Sequence, residues 1–308
     1  MDKMEKLAVK TQIIKSKTQI MKSFDPWSSP YCTCPKKFSL DPYTGCAHRC
    51  IYCYATSYIP NFYFPRRKKD LIKKVLKDCQ KVPENSLISV SNSSDPYQPM
   101  EERYQDFREC LKIFQNFNFK ILIITKSNLV LRDIDLLKKL RCAVTITITT
   151  FKKEILKKLE PKAPDSEKRL EALKILSENG IPTGLRLDPI FPYLNEDEVE
   201  EIVKRAKEVG IQHIVASTFK PRFDSWRRFE RVFPRIARKL KPLYFEKGQK
   251  IKNSFYLPKE MRRELMEKVF EVCRKYQISF ATCREGFLDL KTSKSCDGSH
   301  LIKSYLII

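Results

Sequence analysis

Short runs of apolar residues alternate along most of the chain with longer stretches in which apolar positions recur every three or four residues. The runs at 38–43, 87–90, 120–125, 142–149, 181–187 and 211–217 have the length and content of buried strands. Between them, 66–80, 101–116, 131–140, 165–179 and 196–209 carry apolar residues at helical spacing. Gly180 and Gly210 stand directly after the last two of these helices, where the turn that ends a helix favours a residue without Cβ. Such alternation predicts parallel strands joined by right-handed crossovers, in an α/β barrel or a doubly wound sheet. In both architectures the loops after the strands are where chemistry gathers. From Phe219 onward the alternation gives way to a basic, aromatic region, then a helix over 258–276 and a last strand over 278–281.

The loop after the first run reads Leu40-Asp41-Pro42-Tyr43-Thr44-Gly45-Cys46-Ala47-His48-Arg49-Cys50-Ile51-Tyr52-Cys53-Tyr54. Thiolates spaced by three and then two residues can each reach one iron of a four-iron cube, leaving the fourth iron open to another ligand. A zinc ion would need a fourth ligand, and His48, between the first two cysteines, is badly placed to supply it. Cys46, Cys50 and Cys53 therefore read as the ligands of a [4Fe–4S] cluster. The chain has 11 cysteines but neither a signal peptide nor an apolar run long enough to cross a bilayer. That combination fits a cytoplasmic protein whose thiols stay reduced and free for metals, with no membrane partner.

This loop resembles the hallmark of the radical S-adenosylmethionine superfamily, a Cys-x3-Cys-x2-Cys run with an aromatic residue before the third cysteine, here Tyr52. Further motifs follow in order: Ser94-Asp95-Pro96-Tyr97-Gln98-Pro99, Thr125-Lys126-Ser127, Thr147-Ile148-Thr149, and Glu160-Pro161 followed by Arg169-Leu170. Over roughly 38–220 they make the chain most similar to the spore photoproduct lyase-like, or DNA-repair-lyase-like, branch. The resemblance implies an α/β fold built as a partial (β/α)6 TIM-type barrel, S-adenosylmethionine as a second cofactor, and an electron donor of ferredoxin or flavodoxin type. It also implies reductive cleavage of S-adenosylmethionine to a 5′-deoxyadenosyl radical. Tyr52 is expected along the adenine, and Lys126 beside the methionyl carboxylate as a compact positive charge. The hydroxyls of Ser94 and Thr147 are expected at the amino group and ribose. Arg169 has two partners open to it, the cofactor carboxylate and Glu160; Asp95 either caps a helix or meets substrate. Tyr52 and Tyr54, on either side of Cys53, are the candidates for a catalytic radical relay. One position departs from the branch: its lyases carry a hydrogen-donating cysteine three residues before the aspartate that matches Asp95, and this chain has Asn92, whose amide does not donate a hydrogen atom.

Four more cysteines lie outside these motifs: Cys32 and Cys34 before the first strand, Cys283 after the last, and Cys296 in the tail. If the two ends of the chain meet, four thiolates suit either a tetrahedral zinc or a second iron–sulfur cluster. Cys79, Cys110, Cys142 and Cys273 fall on helix or strand faces and are expected in the core.

The formal net charge of +23 favours polyanions, although a chain rich in Lys, Glu and Ile also matches proteins from hot environments. Over 220–263, 15 Lys or Arg face 4 Asp or Glu. Arg227, Arg228, Arg231, Arg235, Arg238, Lys239 and Lys241 are interleaved there with Phe223, Trp226, Phe229, Phe233, Tyr244 and Phe245. Cations that neutralise phosphates among rings that stack bases would suit a DNA or RNA substrate, and a solvated basic face is the other reading. The expected organisation is an N-terminal arm (1–37) carrying the Cys-x-Cys pair, a core barrel (38–220), and a basic C-terminal extension (221–308) packed on the barrel. Two rival functions stand beside this one. An iron–sulfur electron carrier or structural metal protein would have no use for Lys126, and a radical enzyme acting on a protein or small molecule would make the basic region mere surface.

Overall fold

In the computed structural model, residues 20–24 and 29–303 are described, so much of the arm expected over 1–37 lies outside the described residues. The apolar runs become strands of one eight-stranded sheet: β1 (Lys22–Ser23), β2 (Phe38–Leu40), β3 (Leu87–Val90), β4 (Lys120–Thr125), β5 (Cys142–Thr147), β6 (Thr183–Ile190), β7 (His213–Thr218) and β8 (Ser279–Thr282), side by side in that order. Strands β2 to β8 run parallel, and β1 pairs antiparallel with β2. The end strands do not pair with each other, so the barrel is partial. The sheet holds one more parallel strand than the six expected. Strand β8, from the segment read as an extension, pairs with β7 and buries Phe280 and Ala281.

Alternation along the strands divides the interior in two. Ile121, Ile123, Val144 and Ile146 face the helical layer, where they join the main core. Leu122 and Ala143 point the other way and pack with Leu87 and Ile302, so the tail of the chain fills one end of the barrel. The four cysteines expected in the core, Cys79, Cys110, Cys142 and Cys273, are buried.

The helix expected over 101–116 is two, α1 (Pro99–Tyr104) and α2 (Asp106–Phe114), broken at Gln105 with φ 52°. The buried Glu101 carboxylate explains the break, because it accepts from the backbone N–H of Phe107 and Arg108 and caps the second helix. The helix expected over 131–140 shrinks to a 3-10 turn and the short Ile134–Leu137, pinned by Asp133 between Arg108 and Arg132. A further helix, Lys153–Leu159, precedes the long Ser166–Glu178.

Two basic helices, Phe223–Val232 and Pro234–Phe245, occupy the region after β7. Pro234 starts the second, where its missing N–H costs no hydrogen bond. Their rings turn mostly inward: Trp226, Phe229, Phe233 and Tyr244 are buried, and Phe229 stacks on Phe191 at 5.2 Å. These four are core rather than a stacking platform, because an amphipathic helix buries its largest apolar side chains first. Phe223, 60% exposed, is the ring left to solvent, while Phe245 is half-buried. Arg227, Arg231, Arg235, Arg238, Lys239 and Lys241 are exposed; Arg228 turns inward.

Candidate active site

The thiols of Cys46, Cys50 and Cys53 line one cavity of about 470 Å³, together with residues from the C-terminal ends of the parallel strands. The loop that carries them is held from several sides. Gly45, at φ +85°, comes so close to the next turn that a Cβ would stand 2.5 Å from the Phe62 carbonyl oxygen; only glycine fits there. The Gln98 side chain then brackets the first cysteine, donating to the Gly45 carbonyl (3.0 Å) and accepting from the Ala47 N–H (2.9 Å). Arg228 reaches in from the first basic helix and donates to the carbonyls of Ile51 (2.8 Å) and Cys53 (2.9 Å). Tyr63 donates to the Cys50 carbonyl at 2.8 Å.

Burial pushes the Cys46 thiol up to about 12, with the Asp95 carboxylate adding to the shift, and burial likewise raises Cys50 and Cys53. Thiols of this kind lose their protons when a metal takes the protons' place, so the triplet could hold one. Three thiols, none in a disulfide, leave one loop toward one cavity, an arrangement that could hold a four-iron cube.

The other motifs prove to be mainly clasps. Asp95 accepts from the Tyr97 N–H, the Thr125 hydroxyl and the Lys126 N–H, all within 2.9 Å, and so ties the loop after β3 to the end of β4. It caps no helix, since α1 begins after Gln98. Ser94 donates its hydroxyl to the Tyr43 carbonyl at 2.9 Å, leaving only acceptor capacity toward the cavity it lines. Thr147 also lines the cavity. Lys126 does so with its ammonium 5.6 Å from the Tyr52 ring centre. Burial works against that charge, yet neighbouring Cys50 and Glu160 hold its pKa above the usual lysine value.

Of the two partners open to Arg169, the structure shows Glu160. The two are wholly buried and paired at 2.5 Å, and the guanidinium also donates to the carbonyls of Pro164 and Thr147. Arg169 does not line the cavity; it stands behind Tyr52, whose hydroxyl donates to Glu160. Tyr54 lies on the other side of Cys53, donates to the Asn92 carbonyl and stacks on Tyr58 at 6.3 Å. Cys32, Cys34, Cys283 and Cys296 line the same cavity as the triplet.

The sequence reading gave no site role to Arg222, which lines the cavity, or to Gln98 and Arg228, which brace the cysteine loop. Gln98 lay inside a quoted motif without a role. Arg228 and Arg222, which donates to Ser57 at 2.6 Å, looked like surface charge because nothing local distinguishes an inward arginine from its outward neighbours. On β6, Asp188 takes hydrogen bonds from Ser217 (2.7 Å) and Arg186 (3.0 Å), and beyond β8 Glu285 pairs with Lys220 (2.5 Å) and Arg262 (2.9 Å).

Comparison with known proteins agrees with this geometry. Residues 40–206 match the family model described as the Radical SAM superfamily. An uncharacterized protein of Methanocaldococcus jannaschii is 35% identical over 201 residues, covering 64% of this chain and 74% of that protein. Among solved structures, spore photoproduct lyase complexed with dinucleoside spore photoproduct superposes with a TM-score of 0.66 at 14% identity, covering 87% of this chain and 79% of the other. The Streptococcus suis protein SuiB bound to its precursor peptide SuiA does so at 0.53 and 17% identity, covering 79% and 48%. At such identities the two structures speak for the fold.

Proposed function

The chain belongs to the radical S-adenosylmethionine superfamily and is an enzyme, and from that premise we propose that Cys46, Cys50 and Cys53 hold a [4Fe–4S] cluster at which S-adenosylmethionine is cleaved reductively for chemistry on a nucleic acid. When bound, the cluster and S-adenosylmethionine supply one-electron cleavage of a carbon–sulfur bond and with it a 5′-deoxyadenosyl radical. The observation that carries the reading is that Cys46, Cys50, Cys53 and Lys126 line one cavity at the strand ends.

The chain's own residues then have separable tasks. Lys126 offers a cation to the methionyl carboxylate, and Thr147 and the acceptor lone pairs of Ser94 lie within the same walls. The Tyr52 ring, fixed through its hydroxyl by Glu160, supplies a flat apolar face, and Tyr54 with its stacked neighbour Tyr58 is placed for a relay beside Cys53. Electrons would come from a ferredoxin- or flavodoxin-type donor. An electron-carrier role loses its support, because the family match and the lysine-lined cavity both answer to S-adenosylmethionine. Among the described residues no helix is long and apolar enough to cross a membrane.

Replacing Lys126 by alanine is expected to weaken S-adenosylmethionine binding roughly tenfold or more, the value of one charge-assisted contact, while iron content and cluster absorbance stay at wild-type level. Loss of the cluster in that variant would make Lys126 a structural residue.

The nucleic-acid part rests on one helix doing two things. The helix Phe223–Val232 grips the cysteine loop through Arg228 on its inner side and presents Arg227 and Arg231 to solvent, continuous in sequence with Arg235, Arg238 and Lys239. Phosphates bound there would lie beside the loop, with exposed Tyr58 at the cavity wall and exposed Phe223 at the helix start as the rings left for a base. A target base must leave its stack to enter the cavity, so single strands or damaged duplexes should bind better than intact duplex. Reversing the charge at Arg227, Arg231 and Arg238 is expected to lower single-strand affinity and to flatten the plot of log affinity against log salt by about 2, near 0.7 for each lost phosphate contact. Unchanged affinity and slope, or binding of a peptide in place of nucleic acid, would remove this substrate class and leave the radical chemistry to be judged by 5′-deoxyadenosine.

A further inference from the structure

We propose that Cys32, Cys34, Cys283 and Cys296 form a second metal site, for one tetrahedrally coordinated ion of the zinc type, in the wall of the cavity that the triplet also faces. The four thiols come from three separate pieces of chain and are the cysteines left over once the triplet and the four core thiols are set aside. All four line one cavity. Cys34 Sγ lies 3.6 Å from Cys296 Sγ, a residue 262 positions away, and Cys32 stands two residues before Cys34 in the same cavity wall. Cys283 joins from just past the end of β8 and lines the cavity together with Arg186.

What brings the pieces together does not involve the thiols. Lys37, just before β2, pairs with Asp297 at 2.6 Å, both side chains buried. The tail turns at Gly298, at φ +88°, whose absent Cβ lets it pass the Thr145 methyl; an added Cβ would stand 3.2 Å from it. His213 lies 3.4 Å from the Cys296 carbonyl through Nε2. The backbone is thus arranged around the thiols independently of any bond between them.

The spacing decides which metal. Sulfur at about 2.3 Å from a tetrahedral ion gives neighbouring sulfurs about 3.8 Å apart. The observed 3.6 Å is close to that edge and far beyond the roughly 2.05 Å of a disulfide. In a four-iron cube each thiolate binds its own iron, which sets the sulfurs wider apart, so the pair favours a single ion over a second four-iron cluster. Four thiolates around a divalent ion carry two surplus negative charges, and Lys37 and Arg186 stand beside them, each shared with a carboxylate. Among the described residues no three ligating side chains yet surround a common point; the arriving ion draws the thiolates in, as in sites where binding completes local folding.

This site does not depend on the radical chemistry, and the experiment keeps the two apart. In the full chain purified without oxygen, the triple variant C46A/C50A/C53A is expected to lose its iron and keep one zinc, while C34S/C296S loses the zinc and keeps the triplet's iron. Loading with cobalt(II) should give thiolate-to-cobalt charge-transfer absorption in the triple variant and none in C34S/C296S. If C34S/C296S fails to fold, C283S replaces it, and three remaining thiolates should bind zinc measurably more weakly. Folded wild-type protein with no zinc and no cobalt absorption overturns the proposal. So does iron in place of zinc in the triple variant, or a thiol titration two short that reveals a Cys34–Cys296 disulfide.

Discussion

Replacement of any one of Cys46, Cys50 or Cys53 by alanine is expected to reduce 5′-deoxyadenosine formation to background in the iron-reconstituted, dithionite-reduced protein. The three thiols are not interchangeable, because each anchors a different iron and the fourth iron must stay open. None of the other thiols lining the cavity can take over without dismantling the loop that Gly45, Gln98 and Arg228 hold in place. Iron content and cluster absorbance should fall in all three variants. Cys142→Ala, at a core position away from the cavity, should retain both, and it controls for general damage. Cleavage of S-adenosylmethionine surviving in any of the three would sink the ligand assignment.

The second large effect lies behind Tyr52. Glu160 and Arg169 are both wholly buried, and the carboxylate also takes the hydroxyls of Tyr52 and, at 3.2 Å, Thr149. Removing one partner of such a pair strands the other charge in a low-dielectric interior, at a cost of about 3–5 kcal/mol. Glu160→Ala should therefore lower the urea midpoint sharply, and should weaken S-adenosylmethionine binding as well by releasing the Tyr52 hydroxyl. The double variant E160Q/R169M removes both charges and should recover most of the stability; a double variant as unstable as Glu160→Ala would show that packing, not charge, holds the site.

Proton linkage gives the same pair a pH signature. Burial alone would raise the Glu160 carboxyl, but Arg169 and Lys126 hold it below its ordinary value of 4.5. A carboxylate with a depressed folded pKa contributes stability that is complete above the unfolded value and disappears as pH falls through the folded one. Wild type should thus lose part of its stability on the acid side of pH 4.5, and E160Q/R169M should show a smaller loss over that range when denaturation is followed against pH.

The strands illustrate how far local pattern reaches. Leu87–Val90 and Lys120–Thr125 were legible to the residue, because each is a short apolar run bounded by polar turns. The helix expected over 101–116 was legible as helix but not as two, since its break depends on a buried carboxylate caught between Tyr43 and the Phe107 N–H. The aromatic residues among the arginines failed as a groove for a related reason. Spacing places Trp226 and Phe229 on one face of a helix, but not which side of that face meets Phe191. Arg169 is the same case in miniature, for only the packed helix shows it behind the cavity wall.

By itself the sequence determined the order of strands and helices, the loop in which three thiols stand at cluster spacing, and the surplus of positive charge after β7. These are short-range properties, set by side-chain periodicity and by residues within one turn of each other. Only the tertiary structure decided that Gln98 and Arg228 clasp the cysteine loop, that Glu160 claims Arg169, and that Cys34 meets Cys296. Those pairings join residues 51, 177, 9 and 262 positions apart along the chain. The three longest depend on how the parallel strands curl into a partial barrel and where the tail enters its open end, which no local pattern encodes.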